Sequence, residues 1–170
     1  ISKVTPVHKN GKTNNVNNYR PIAILSSISK IVEKIVTEQL YDYFEINNLF
    51  NSSQHGFRRG RSTETALCDL TNNIHSAFDC KLSTVAVFLD LSKAFDTVDH
   101  GVLLKKLRHY GVRGQALSWF TDYLLNRKQC VKFDGSLSSF REIMTSVPQG
   151  SSLGPLLFVI YINDIINCSK

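Results

Sequence analysis

An α+β fold, with helices packed on a small antiparallel sheet, is predicted by three observations. Apolar residues at Ile28, Ile31, Val32, Ile35, Val36 and Leu40 recur at the i, i+3, i+4 spacing of an amphipathic helix. Leu82 to Leu89 is a β-branched apolar run of strand length. Asp134-Gly135 separates two further strand-like runs, the signature of a hairpin turn. Helices mixed with a few strands, several of them paired as hairpins, argue for α+β over a doubly wound sheet.

Each element has a local reason. Residues 1 to 18 are polar and aperiodic, an extended arm or hairpin with Gly11-Lys12 as its turn. Ser26 or Ser27 can cap the first helix, which runs from Ile28 to Phe44. A polar loop from Asn47 to Arg61 leads to a second helix, capped by Ser62 with Thr65 three residues on, with Ala66, Leu67, Leu70, Ile74 and Ala77 facing inward. After the Leu82–Leu89 strand comes a short helical turn, Lys93 to Val98. A helix from His100 to Tyr110 then carries Leu103, Leu104 and Leu107 on one face. Gly111 and Gly114 punctuate before a helix from Gln115 to Leu125. Strands Gln129 to Phe133 and Phe140 to Val147 follow, and an apolar helix from Ser152 to Ile166 closes the chain, with Pro155 placed in its first turn.

At 170 residues the chain has room for one domain or a piece of a larger one. Its 42% hydrophobic and 20% charged residues are those of a globular protein. It begins at Ile1 without a signal-peptide pattern, and the apolar run from Leu153 to Ile162 is far short of the roughly 20 residues that span a bilayer. A soluble protein whose sequence starts inside a longer chain is expected, with no membrane and no obligate protein partner. Cys68, Cys80, Cys130 and Cys168 have no C-x-x-C spacing and read as reduced, mostly packed thiols, and the five histidines show no ligand spacing. Charge is uneven. Residues 1–61 carry nine Lys/Arg against four Asp/Glu, while the remainder is nearly neutral, which places any polyanion contact mainly on the first segment.

Two phosphate-site readings fail. Gly11-Lys12-Thr13 lacks the earlier glycine of a P-loop, where Pro6 stands, and Asp90-Leu91-Ser92 lacks the second carboxylate of a D-x-D site. Four stretches in order carry more. They are Asn18-Tyr19-Arg20-Pro21-Ile22, Gln54 to Thr63 (QHGFRRGRST), Phe88 to Asp96 (FLDLSKAFD) and Pro148 to Phe158 (PQGSSLGPLLF). Together they resemble the reverse transcriptase domain of non-LTR (LINE-type) retrotransposons, in the same order and at similar separations across essentially the whole chain.

That resemblance implies the fingers and the first half of the palm of a right-hand polymerase, with residues 1–80 as a fingers-like segment and 81–170 as a partial palm. It implies an RNA-directed DNA polymerase that adds deoxynucleotides to a primer 3′-hydroxyl, using two magnesium ions. Its partners would be an RNA template, a DNA primer and deoxynucleoside triphosphates. Asp90 matches the first catalytic, metal-binding aspartate, and the Leu91 carbonyl a further metal ligand; magnesium takes such hard oxygen donors. Phe95 matches the aromatic that excludes a 2′-hydroxyl, against the plainer reading of a core phenylalanine. Arg20 matches an arginine that clamps the triphosphate, a task its planar fork suits. Lys12, or alternatively Lys9, is the second cation. Gln149 and Gly150 match a turn beside the nucleotide. Arg58, Arg59 and Arg61 are candidates for template or primer phosphates, against a plain surface loop.

The family's adjacent pair of aspartates has no counterpart between Ile1 and Lys170, and Asp164 reads as a helix-surface carboxylate. The chain alone is therefore expected to ligand the ions only in part and to be inactive by itself. A non-catalytic nucleic-acid-binding remnant and a group II intron maturase-type enzyme are the rival readings. An intracellular location, nuclear or in a cytoplasmic ribonucleoprotein, is expected.

Overall fold

The computed structural model describes residues 2–125 and 127–168. Strands β1 (Ser2–His8) and β2 (Tyr19–Ile24) form an antiparallel hairpin in which Lys3 faces Ile24 and His8 faces Tyr19. Gly11 takes φ +80° in the connection, the left-handed region that glycine adopts without strain. Four helices follow: α1 (Ser27–Ile46), α2 (Thr63–Asp79), α3 (His100–His109) and α4 (Gly114–Leu124). Strand β3 (Lys128–Phe133) turns through Asp134 and Gly135, at φ +46° and +75°, into the short β4 (Ser136–Leu137). Two successive positive φ values give the hairpin turn whose twist matches that of its strands. Strand β5 (Arg141–Glu142) pairs with the start of β3, and α5 (Gly154–Ile162) completes the set.

The α+β class holds, but the sheet is mixed. Its order is β2-β1-β3-β4, and β1 runs parallel to β3, with Lys3 opposite Cys130. Parallel neighbours need a long crossover, and α1 to α4 all lie between these two strands. The return strand expected over 140–147 reduces to β5, after which Thr145 bridges Asp99.

The core gathers around α5, which is apolar on every side and buries Leu156, Leu157, Phe158, Val159 and Ile160. A helix that is hydrophobic all round is a central one. Against it pack Leu103 and Leu107 of α3, Phe120 and Leu124 of α4, and Leu40, Tyr41 and Phe44 of α1. Asn163 ties the far end of α5 into the loop after α1: its Oδ1 accepts from the Asn51 N–H at 2.9 Å, and its Nδ2 donates to the Leu49 carbonyl at 2.8 Å.

Three expectations about burial fail. The first half of the α1 stripe is exposed, with Ile28, Ile31, Val32 and Ile35 all facing out, because the core touches only the C-terminal half of that helix. The inward face of α2 is covered only in part: Ala66, Leu70, Ile74 and Ala77 are half-buried, Leu67 is exposed, and no residue is fully buried. Leu82 to Leu89 forms no strand, and Val87, Phe88 and Leu89 are each at least 77% exposed. A strand exists through its neighbours' hydrogen bonds and cross-strand contacts, and among the described residues none pairs with this run. Cys130 is buried, whereas Cys68 and Cys80 are exposed. No helix of the described residues is long and apolar enough to cross a membrane.

Candidate nucleotide cleft

The β1–β2 hairpin, β3 and the segment Asp90–Asp96 enclose an open cleft of about 1130 Å³. Its floor is the sheet face presenting Val4, Pro6, Val131 and Phe133; Lys9 and Arg20 stand on the hairpin side. Opposite lie Asp90, Leu91, Lys93, Asp96 and Gln149. Three stretches far apart in sequence thus meet in one place.

Backbone lacing between two segments fixes the geometry of that wall. The Val147 N–H donates to the Phe95 carbonyl at 3.0 Å and the Ser146 N–H to the Val98 carbonyl at 2.8 Å. The turn Ala94–Asp96 is therefore held against the start of Pro148-Gln149-Gly150. Gln149 then bridges in two directions. Its Nε2 donates to Asp96 Oδ1 at 2.9 Å, and its carbonyl accepts the Ala23 N–H of β2 at 2.8 Å. Gly150, at φ +102°, lies so close to β2 that a Cβ would sit 3.1 Å from the Ala23 carbonyl oxygen. Its lack of a side chain serves the approach of this turn to β2.

Asp90 is exposed and follows the unpaired Leu82–Leu89 run, so the rigid strand end expected for it is absent. Phe95 is half-buried, with its ring 5.9 Å from Phe57 and 4.7 Å from Phe158, at the edge of the core. Lys9 lines the cleft, whereas Lys12 lies in the hairpin connection, its carbonyl accepting from Asn18 Nδ2 at 2.8 Å. Arg20 is exposed, and no carboxylate of the described residues pairs with it.

Arg58 is corrected from a phosphate contact to an internal brace. Its Nε and Nη2 bind the two Glu45 oxygens at 2.8 and 2.9 Å, its Nη1 donates to the Asn51 carbonyl, and the guanidinium lies over Phe50. Those hydrogen bonds pull the Glu45 carboxyl down to about 2. Arg59 stacks on Tyr41 and pairs with Asp42 at 3.1 Å, both at the surface. Arg61 keeps no such partner among the described residues. Asp164 pairs with Lys106, whose hydrogen bond lowers its pKa.

No three His, Cys, Asp or Glu side chains of the described residues gather in a way that could hold a metal. The cleft instead offers the Asp90 carboxylate and the Leu91 carbonyl in succession. These hard oxygens suit magnesium, which is commonly held by one or two carboxylates plus substrate phosphates. Two such oxygens are fewer than a whole coordination sphere needs.

A family model described as reverse transcriptase (RNA-dependent DNA polymerase) matches residues 7–169. The chain belongs to the reverse transcriptase family. It is 36% identical, over 97% of its length, to a probable RNA-directed DNA polymerase from transposon BS of Drosophila melanogaster. It is also 33% identical, over 95% of its length, to the probable RNA-directed DNA polymerase from transposon X-element of the same fly. To the RNA-directed DNA polymerase from mobile element jockey it is 33% identical over 96%. Each match takes in 18% of the relative, so this reverse transcriptase chain spans about a fifth of the length of the curated relatives it matches. The kinship agrees with the resemblance carried by the four sequence stretches.

Asp96, read from the sequence as a hydrogen-bonding or capping residue and not a metal ligand, accepts the Gln149 bond. One residue of this reverse transcriptase segment was passed over. Glu33, an acid inside an amphipathic helix, is 3% exposed and bonds to both Tyr123 and Ser152. The only hint of Glu33 in the sequence is its place, one residue from Val32 on the apolar stripe.

Proposed function

We propose that the chain is the nucleotide-binding part of an RNA-directed DNA polymerase. It would add deoxynucleotides to a primer 3′-hydroxyl on an RNA template. The observation that carries this reading is the convergence of Asp90, Arg20 and Gln149 on one cleft from three distant stretches of a reverse transcriptase sequence. Arg20 and Lys9, with Lys12 as the hairpin alternative, supply positive charge for the triphosphate. Arginine does so through a fork that stays charged at any working pH. Asp90 and the Leu91 carbonyl would hold part of the coordination of magnesium. When bound, such ions activate the primer hydroxyl and neutralise the phosphates. Gln149 would orient the sugar or phosphate, on a turn whose close approach to β2 Gly150 permits. Phe95, whose ring packs on Phe57 and Phe158 and is not among the cleft-lining residues, is the residue proposed to exclude a 2′-hydroxyl. Arg59 and Arg61 are left as the contacts for nucleic-acid phosphates.

Primer extension on an RNA template by the product of the complete open reading frame tests this reading. Asp90→Asn should lower kcat by at least about a hundredfold, as loss of an electrostatic transition-state contact does. Extension that survives Asp90→Asn intact refutes the metal role. RNA binding with a steep salt dependence but no extension by the unaltered protein points instead to a non-catalytic remnant.

A further inference from the structure

Glu33 is a carboxylate buried in a helix that contributes nothing to the lining of the cleft. Taking such a group out of water is costly unless every oxygen is satisfied. Here both are. Oε1 accepts from the Tyr123 hydroxyl of α4 at 2.8 Å, and Oε2 accepts from the Ser152 backbone N–H at 3.1 Å. Burial and the neighbouring Glu33 charge push the Tyr123 phenol up to about 12, so it stays a donor throughout the working range.

Ser152 lies two residues after Gly150, in the turn that leads into α5. That turn is tied to Asp96 in the cleft and to Ala23 of β2, both through Gln149. Its exit is folded on itself: the Ser151 N–H reaches the Pro148 carbonyl at 3.2 Å, and the Gly154 N–H reaches Ser151 Oγ at 2.8 Å. Glu33 is the third tie, and it comes from behind. Without it the Ser152 N–H would turn to solvent, since Ser152 is itself exposed, and the turn would lose its bond to α1.

We infer that Glu33 is a positioning residue for nucleotide binding: through Ser152 it holds the Pro148–Gly150 turn so that Gln149 faces the cleft. The effect on nucleotides rests on the polymerase reading, while the hold on the turn does not. Both are measured on the complete open reading frame product, by the KM for deoxynucleotides in primer extension and by hydrogen exchange of the peptide spanning 148–154. Glu33→Ala should raise KM about tenfold, the size of one lost charged hydrogen bond. In the same variant kcat and template–primer affinity should stay within about twofold of the unaltered protein, and exchange should accelerate. Glu33→Gln should restore both values, since its Oε1 can accept from Ser152 while its amide donates to the Tyr123 oxygen. Tyr123→Phe keeps the Ser152 bond and should lower stability without moving KM.

A fall in kcat at unchanged KM would mean a merely structural residue and overturn the inference, as would exchange unaffected by Glu33→Ala. If the unaltered protein does not extend primers, the polymerase reading fails and exchange alone decides the hold. Acceleration in Glu33→Ala, reversed in Glu33→Gln, then supports it, and its absence overturns it.

Discussion

Arg58 shows how an arginine in a basic run can be spent on the protein itself. Its side chain is 14% exposed, and its fork closes on Glu45 with near-ideal distances. Arg58→Ala should therefore cost about 1 kcal/mol of stability, since it removes two charged hydrogen bonds while Glu45 keeps the Tyr41 hydroxyl and access to water. It should leave the salt dependence of RNA binding unchanged, whereas Arg61→Ala should shallow that dependence by about one phosphate contact. Denaturant titrations and binding at several salt concentrations separate the two variants. The same pair makes a pH prediction. The folded-state pKa of Glu45 is depressed from 4.5 to about 2, so its contribution is present above the unfolded value and is lost as pH falls between the two. Arg58→Ala should remove that part of the acid sensitivity, which a pH series of unfolding midpoints measures.

Among the elements, caps and turns were legible because their chemistry is local. Ser26 Oγ accepts the Ser29 N–H at 3.1 Å. Ser62 and Thr65 form a reciprocal capping box at the start of α2, and Asp134-Gly135 makes the expected turn. What period and composition could not supply was the neighbour. The stripe on α1 marks a face, yet only Val36 and the residues beyond it meet the core. The Leu82–Leu89 run has strand composition and no partner strand. Arg20, Asp90 and Gln149, singled out by their motif stretches, line one cleft, while Glu33 was not legible, since its partners lie 90 and 119 residues away. Because no residue of α2 is fully buried, its stability rests heavily on its first turn. Ser62→Ala should cost α2 about 1 kcal/mol, seen as roughly fivefold faster exchange of its amides with little change in the rest of the chain. Uniform acceleration across all helices would show that α2 is not an independent unit.

For the molecule as a whole, surface area is the telling quantity. A compact monomer of 19.2 kDa exposes about 8400 Å² by the usual scaling, whereas this chain exposes 11966 Å². The excess is not spread evenly. Val85, Val87, Phe88 and Leu89 lie in sequence on one unpaired segment, and Ile28, Ile31 and Ile35 form an exposed row on α1. An unpaired run of β-branched and aromatic residues offers free backbone donors and acceptors together with apolar side chains, the combination that recruits another chain. The 170-residue chain prepared alone should therefore bind the dye ANS and elute as oligomers that grow with concentration. Replacing Val87 and Leu89 together with lysine should restore monomer and reduce dye binding, because like charges on an edge oppose pairing. Those lysines lie outside the hydrophobic core, so the helical content by circular dichroism should not change. A chain that stays monomeric at high micromolar concentration without binding ANS would show that this segment finds cover within its own molecule.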